Sequence, residues 1–381
     1  MITIKNKKHC CGCEACAQKC PSKCIEIFED EEGFSYPKVN SEYCIACNIC
    51  EKVCPMIVDY NVENKISSSY ISYNLDLEER LKSSSGGIFL VIAKEILSKN
   101  GVVYSAIFLE DFTVEHSRIT NVRELNKARG SKYLQSKIGC SYKNVEKDLK
   151  ENKYVLFVGT SCQIAGLQAY LNTSYDKLFT IDIVCHGVPS RKVWKKYLAE
   201  LEYQFNEKVT KVNFRDKSNG WNNYNMKITF ETQEYVCNHL EDPYMRFFLS
   251  DIDLRPSCYE CKFKGLNRAS DLTLGDAWGI ENYCKAEYDD NGVSIILVNT
   301  LKGHEILNNV SENIHLEKYD IDTIFPKYSG GRRNANFNPN REKFFRKINT
   351  NRIEDLLSLI EFSFIDRIKI FLNKLNNKVK R

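Results

Sequence analysis

Two cysteine runs near the N-terminus constrain this chain more than any other feature. The first reads Cys10-x2-Cys13-x2-Cys16-x3-Cys20-Pro21 and the second Cys44-x2-Cys47-x2-Cys50-x3-Cys54-Pro55. Two residues between ligands let a tight turn present three thiolates to one metal centre, and the fourth Cys lies beyond that turn. The proline ends the turn and fixes the chain direction. This is the spacing of two-cluster bacterial ferredoxins, in which the fourth Cys of each run serves the other cube. On that rule Cys10, Cys13, Cys16 and Cys54 hold one [4Fe–4S] cluster, and Cys44, Cys47, Cys50 and Cys20 hold a second. Two four-thiolate zinc sites would balance the same charge, but zinc motifs come as CxxC pairs rather than three close cysteines followed by Cys-Pro. The CxxxCxxC order of radical enzymes is missed by one residue, since the local order is Cys16-x3-Cys20-x3-Cys24. Cys11 and Cys24 are left over as packing thiols near the clusters.

Ten of the 17 cysteines fall in the first 54 residues of a 381-residue chain. No apolar stretch follows Met1 as in a signal peptide, and no run of about 18 apolar residues exists to span a membrane. A reducing cytoplasm is the expected compartment, where gathered cysteines bind metal or do redox work. A formal net charge of +4 gives no nucleic-acid footprint. The length suits two or three domains. A polar stretch, 61–69, reads as a linker. After it come helical patterns at 86–100, 162–171 and 191–201, and strand patterns at 101–109, 154–158, 178–184, 209–214, 225–232 and within 292–301. That mixture predicts an α+β chain: a small ferredoxin-like domain over 1–60, a larger mixed α/β domain over 61–330, and a basic helical tail over 331–381. The tail, helical from Ile353 to Lys380, is read as a helix docked on the protein's own surface, or else as a contact with a membrane surface or partner.

Past the linker, single motifs accumulate. Ser83-Ser84-Ser85-Gly86-Gly87 precedes a helix, where backbone N–H groups and a dipole end suit a phosphate; an ordinary serine cap explains it equally well. Neither a GxGxxG run nor a Walker A run is present. Next come Arg129-Gly130-Ser131-Lys132-Tyr133-Leu134-Gln135-Ser136, Gly159-Thr160-Ser161-Cys162-Gln163, Cys185-His186-Gly187-Val188-Pro189-Ser190 and Phe214-Arg215-Asp216-Lys217. Arg255-Pro256-Ser257-Cys258-Tyr259-Glu260-Cys261 and Ser270-Asp271-Leu272-Thr273-Leu274-Gly275-Asp276-Ala277-Trp278-Gly279 complete the series.

In this order the motifs resemble the coenzyme F420 hydrogenase/dehydrogenase beta subunit family, from the ferredoxin segment to about Gly303. The likeness is to its bacterial branch, often found among polysaccharide-synthesis genes. The resemblance implies an iron–sulfur flavoprotein whose larger domain binds FAD and moves electrons between clusters and a second partner. That partner is the deazaflavin F420 in archaeal members and a small organic substrate in others, a chlorophyll derivative among them. It implies that Ser83, Ser84, Ser85, Gly86 and Gly87, together with Ser131, Lys132, Tyr133, Gln135 and Ser136, bind FAD. One departure is Ser161, where the family carries a proline before the strand-end cysteine.

The residues also permit a third [4Fe–4S] cluster. Cys162 and Cys185 each follow a strand and could meet at one sheet edge, and the Cys258-x2-Cys261 pair could close over them. A structural zinc site or plain buried thiols remain alternatives. Cys140, Cys237 and Cys284 have no such context. His186, beside Cys185, is a candidate proton donor for flavin chemistry, or a histidine bonded to its loop. Trp278 could stack on an isoalloxazine, and Lys132 and Arg215 could meet FAD phosphates; core packing and surface ion pairs compete. Asp276 is open in the same way. The expected function is an oxidoreductase passing electrons between clusters and FAD and on to a deazaflavin or small-molecule substrate. Its redox partner would be a ferredoxin or a reduced deazaflavin. The alternative is an electron-transfer subunit with no substrate of its own, serving a larger complex.

Overall fold

Strands that alternate between two buried faces organise the larger part of the molecule. The computed structural model describes residues 1–58 and 67–360. The strands are β1 (Ile25–Glu29), β2 (Ser35–Val39), β3 (Ser68–Asn74), β4 (Val102–Phe108), β5 (Val114–Ile119), β6 (Val155–Thr160) and β7 (Leu178–Ile183). They continue with β8 (Lys211–Asp216), β9 (Asn225–Thr229), β10 (Glu234–Asn238), β11 (Leu272–Asp276), β12 (Ser294–Val298) and β13 (Ile314–Lys318). Eight of them form one mixed sheet in the order β13-β3-β12-β11-β7-β6-β4-β5. Its centre, β11, β7, β6 and β4, is parallel, and the outer pairings are antiparallel.

Side chains on neighbouring positions of a strand point to opposite faces. In β4 and β6, Val103, Leu156 and Val158 pack under the helix Ile88–Ser98. Val102, Tyr104, Val155 and Phe157 pack on the other face, under the helices Ser141–Lys150 and Ser161–Leu171. Both faces being covered explains why these strands read as near-continuous apolar runs.

The N-terminal domain is not a separate ball. Cys11, Cys13, Ala15, Cys16 and Cys54 belong to the same apolar cluster as Ile164, Leu167 and Tyr142. Its own strands are the hairpin β1–β2. A further core gathers the helices Arg191–Phe205 and Pro243–Leu249, the three-stranded sheet β10-β9-β8, and Phe344, Ile348, Ile353 and Leu356 from the C-terminal segment.

The fold is the α+β arrangement the motifs predicted, with two revisions. The linker reading ended at Ser69, but Ser68 and Ser69 open β3, an inner strand of the large sheet. Ser69 is buried and its hydroxyl donates to Tyr319 O at 2.6 Å, so serines here close hydrogen bonds inside a sheet. Residues 61–66 of the linker lie outside the described residues. The tail divides in the same way. From 341 to 360 it forms the short helices Arg341–Lys347 and Ile353–Leu356, docked on the protein's own core, and 361–381 lies outside the described residues. Among the described residues no helix is long and apolar enough to cross a membrane.

Candidate metal centres and cofactor cleft

Each cysteine run turns through the same backbone device. Glu14, directly after Cys13, has φ 62°, and Asn48, directly after Cys47, has φ 59°. Each left-handed residue starts a short helix, Ala15–Lys19 or Ile49–Lys52, that carries the third cysteine of its run. The result is two matched void spaces. Cys10, Cys13, Cys16 and Cys54 line one of ≈ 390 Å³, open solvent included. Cys20, Cys44, Cys47 and Cys50 line the other, of ≈ 310 Å³, with Cys24 beside them. These are the crossed sets that the spacing implied, each run sending its fourth thiol to the other's site. The donor chemistry, four thiols around a void with apolar walls, fits a [4Fe–4S] cube. The sites differ in access. Cys13, Cys16 and Cys54 are buried, whereas Cys47 is exposed and flanked by exposed Tyr43 and Ile45. The Ile2 N–H points at Cys50 Sγ from 3.3 Å, a contact of the kind that tunes a cluster's potential.

A third cavity, ≈ 700 Å³ with open solvent included, lies at the carboxyl ends of β6 and β7, where open α/β sheets bind ligands. Cys162, Cys185, Cys258 and Cys261 all line it. Cys162 enters at the first turn of the helix Ser161–Leu171, and Cys185 just past the end of β7. Cys258 and Cys261 come from the turn Pro256–Glu260 and its cap. Gly187 lets the Cys185 loop close on Leu254, two residues before that turn, since a Cβ there would meet Leu254 Cδ1 at 2.7 Å. Burial raises the Cys185 thiol to about 12, and the neighbouring thiols push the same way. Cys258 and Cys261 are raised by burial first as well. Such thiols give up their protons to a bound cation rather than to water.

One residue on this wall escaped the sequence reading. Cys11, set aside as a packing thiol, lines the same cavity, and a hydrogen bond between the two thiols raises Cys162. Its adjacency to Cys10 was the only available signal, because the contact depends on two segments about 150 residues apart folding together.

Behind the wall runs a neutral chain of hydrogen bonds. Gln163 donates to Ser136 Oγ at 2.9 Å, Ser136 Oγ meets His116 Nδ1 at 2.8 Å, and His116 Nε2 meets Val158 O at 2.9 Å. Burial lowers His116 to about 4, so its ring is neutral. With Ser136 donating, Nδ1 accepts and Nε2–H donates to the carbonyl.

The residues assigned to FAD fall into two places. Ser83 to Gly87 and Ser131 meet at the start of the helix Ile88–Ser98: Ser131 N–H donates to Ser84 Oγ at 2.6 Å. Gly86 is required there, since a Cβ would meet Ser72 O at 2.5 Å. Lys132 donates to the carbonyls of Ala128, Arg129 and Gly130, capping the helix Val122–Ala128, and burial lowers it to about 7. Lys217, quoted in a motif but given no role, donates to the carbonyls of Arg80, Ser85 and Asn291 and is also lowered to about 7, chiefly by burial. Neither amine has a carboxylate partner among the described residues. Gln135 and Ser136, by contrast, line the thiol cavity. Tyr133 lies between, its hydroxyl 3.2 Å from Arg215 Nη1 and its ring stacked on Phe248.

Arg215 is buried, paired with Asp276 and lying over the rings of Tyr224 and Trp278. Trp278 also stacks on Trp221 at 4.7 Å and stays 47% exposed. His186 does not line the cavity. Its Nε2 lies 2.6 Å from Asp251 Oδ1 and its carbonyl accepts from Lys264, which matches the loop-bonded reading of this residue. Glu287, His315 and Glu317 also converge, on a sheet edge where His315 stacks on Tyr73 and pairs with Glu287.

Fold and site together define an iron–sulfur redox protein with a dicluster domain seated on a mixed α/β domain. Residues 9–58 match the family model described as 4Fe-4S dicluster domain, and residues 152–323 match the model for the C terminus of the coenzyme F420 hydrogenase/dehydrogenase beta subunit. The second match makes the chain similar to the coenzyme F420 hydrogenase/dehydrogenase beta subunit family over residues 152–323. Among solved structures it is similar to a chain of the F420-reducing [NiFe] hydrogenase complex from Methanosarcina barkeri, with 16% identity and a TM-score of 0.48 over 79% of this chain and 93% of that one. No curated protein matches it.

Proposed function

We propose that this chain is a three-cluster, FAD-dependent oxidoreductase that takes single electrons at its exposed cluster site and delivers them to a deazaflavin or a small organic substrate. The observation that carries the reading is the convergence of Cys162, Cys185, Cys258 and Cys261 on one cavity beside the dicluster domain. When bound, the cubes supply one-electron transfer and the flavin couples it to two-electron chemistry. The chain's own residues do the rest. The exposed site at Cys47 offers the entry, the buried site at Cys13 and Cys16 leads inward, and Cys11 joins it to the third cavity. The Ser83–Gly87 loop with Ser131 is the cradle for the flavin. Lys132 and Lys217 stand beside it as half-buried amines bonded to carbonyls, with no carboxylate in direct contact among the described residues, and a diphosphate would favour their charged forms.

Anaerobic purification with iron, sulfide and flavin counts tests this. About twelve irons and one flavin per chain are expected, at four irons per cube. About eight irons would remove the third cluster, and no flavin under any loading condition would remove the enzyme reading. The exposed apolar residues Tyr43 and Ile45 at the entry favour a second reading, a subunit that only relays electrons to a docked partner. In that case the isolated chain reduces artificial acceptors but no small organic substrate.

A further inference from the structure

Arg255 is fully buried, and its guanidinium has no carboxylate partner among the described residues. Nε donates to Cys10 O at 2.8 Å, Nη1 to Gln135 Oε1 at 2.9 Å and Nη2 to Ser35 O at 2.9 Å. Tyr36 and Phe34 hold its faces, with ring centroids 4.4 and 5.9 Å away. Its other charged or ionisable neighbours are Arg191, itself paired with Glu29, and thiols of two cavities: Cys10 of the inner dicluster site, Cys258 of the third cavity, and Cys11, which lines both. Burying a lone cation costs several kcal/mol, and every hydrogen-bond partner among the described residues is neutral. The compensating charge must sit where the thiols converge. A cube with four thiolates is an anion, and reduction makes it more negative by one charge.

We propose that Arg255 is the fixed counter-charge shared by the inner dicluster cluster and the third cluster, raising the reduction potentials of both and matching them across the domain boundary. The inference rests on the cluster assignments above. A fixed positive charge stabilises the reduced form of a nearby cluster more than the oxidised form, because Coulomb energy scales with the charge faced. None of the outer thiols, Cys20, Cys44, Cys47 and Cys50, is among the groups that act most strongly on Arg255, so that site serves as an internal control.

The test is a potentiometric titration of the intact protein followed by electron paramagnetic resonance, with Arg255→Met, Arg255→Gln and Arg255→Lys. In the two neutral variants the inner and third clusters should titrate at lower potential while the outer cluster stays in place, and Arg255→Lys should restore both. Unchanged potentials in a neutral variant that keeps its iron overturn the proposal, as does an equal shift of all three clusters. If neither neutral variant retains iron, retention with wild-type potentials in Arg255→Lys supports it, and loss there too assigns Arg255 a purely geometric role. Should the wild type carry about eight irons, the third-cluster reading falls while the inner cluster's shift still decides the role of Arg255.

Discussion

Gly166 lies against Cys13. A Cβ on Gly166 would stand 2.8 Å from Cys13 Cβ and 2.9 Å from the Tyr142 hydroxyl, closer than real atoms approach. Gly166 is one turn along the helix from Cys162, so hydrogen at this position lets an inner-cluster ligand sit beside the helix that carries a third-cavity thiol. Gly166→Val should part the two surfaces. Overpacking of this kind costs about 1–3 kcal/mol. The expected outcome is a lower denaturation midpoint and slower electron exchange between domains, read by stopped-flow reduction of the bound flavin at unchanged iron content.

The thiol set of the third cavity makes a sharper prediction. Cys162→Ser or Cys258→Ser should each remove about four irons. Cys11→Ser should keep the full count, because four thiolates already complete a cube and Cys11 is the fifth on that wall. Loss of four irons from Cys11→Ser would exchange its role with that of Cys162.

Lys217 should matter for flavin and not for iron. Its amine holds the carbonyls of Arg80, Ser85 and Asn291 beside the Ser83–Gly87 loop. Lys217→Met removes both the bonds and the charge, and should weaken flavin binding at least tenfold, equivalent to about 1.4 kcal/mol, and so lower flavin occupancy. Flavin released on denaturation and iron counts of the same sample separate the two effects. Full flavin occupancy in the variant would remove Lys217 from the cradle.

His116 gives stability a defined pH dependence. Its folded value, about 4, lies below the ordinary 6.5. Between those values the unfolded chain binds more protons than the folded one, so stability falls as pH drops from 6.5 towards 4 and levels off below. The full difference is about 3 kcal/mol. His116→Gln should lose this slope. Anaerobic urea titrations at several pH values, taken as the difference between wild type and variant, measure it; parallel curves would show that His116 is not the titrating group.

The cluster sites were legible in the sequence because their chemistry is local. Cys10 to Cys20 and Cys44 to Cys54 carry their ligand spacing within single turns, and the crossed pairing follows from the repeat. Cys162 and Cys185 could be paired in advance because each follows an apolar run that reads as a strand, and strand ends in a parallel sheet share an edge. Ser68 and Ser69 were read as linker because serine carries no β signal alone; β12 and β13 on either side decide their state. The strands β1, β2, β5, β10, β11 and β13 were not read as strands either, β5 and β13 being polar on alternate positions and β11 being quoted only as a motif. Arg255 and Lys217 stood inside recognised motifs, yet their roles depend on partners from distant segments, which spacing does not encode.

The loops that carry the first cysteines are fastened by residues made much later. Gln135 holds Cys11 O, Arg255 holds Cys10 O, and Arg341 grips Glu32 with two bonds of 2.9 and 2.7 Å across a separation of 309 residues. At 5–20 residues per second, roughly 15–60 s pass on the ribosome between Glu32 and Arg341. Throughout that interval the dicluster loops have emerged without their final clamps. The order of synthesis therefore completes the Cys10 and Cys11 loop first and adds the clamps that hold it last.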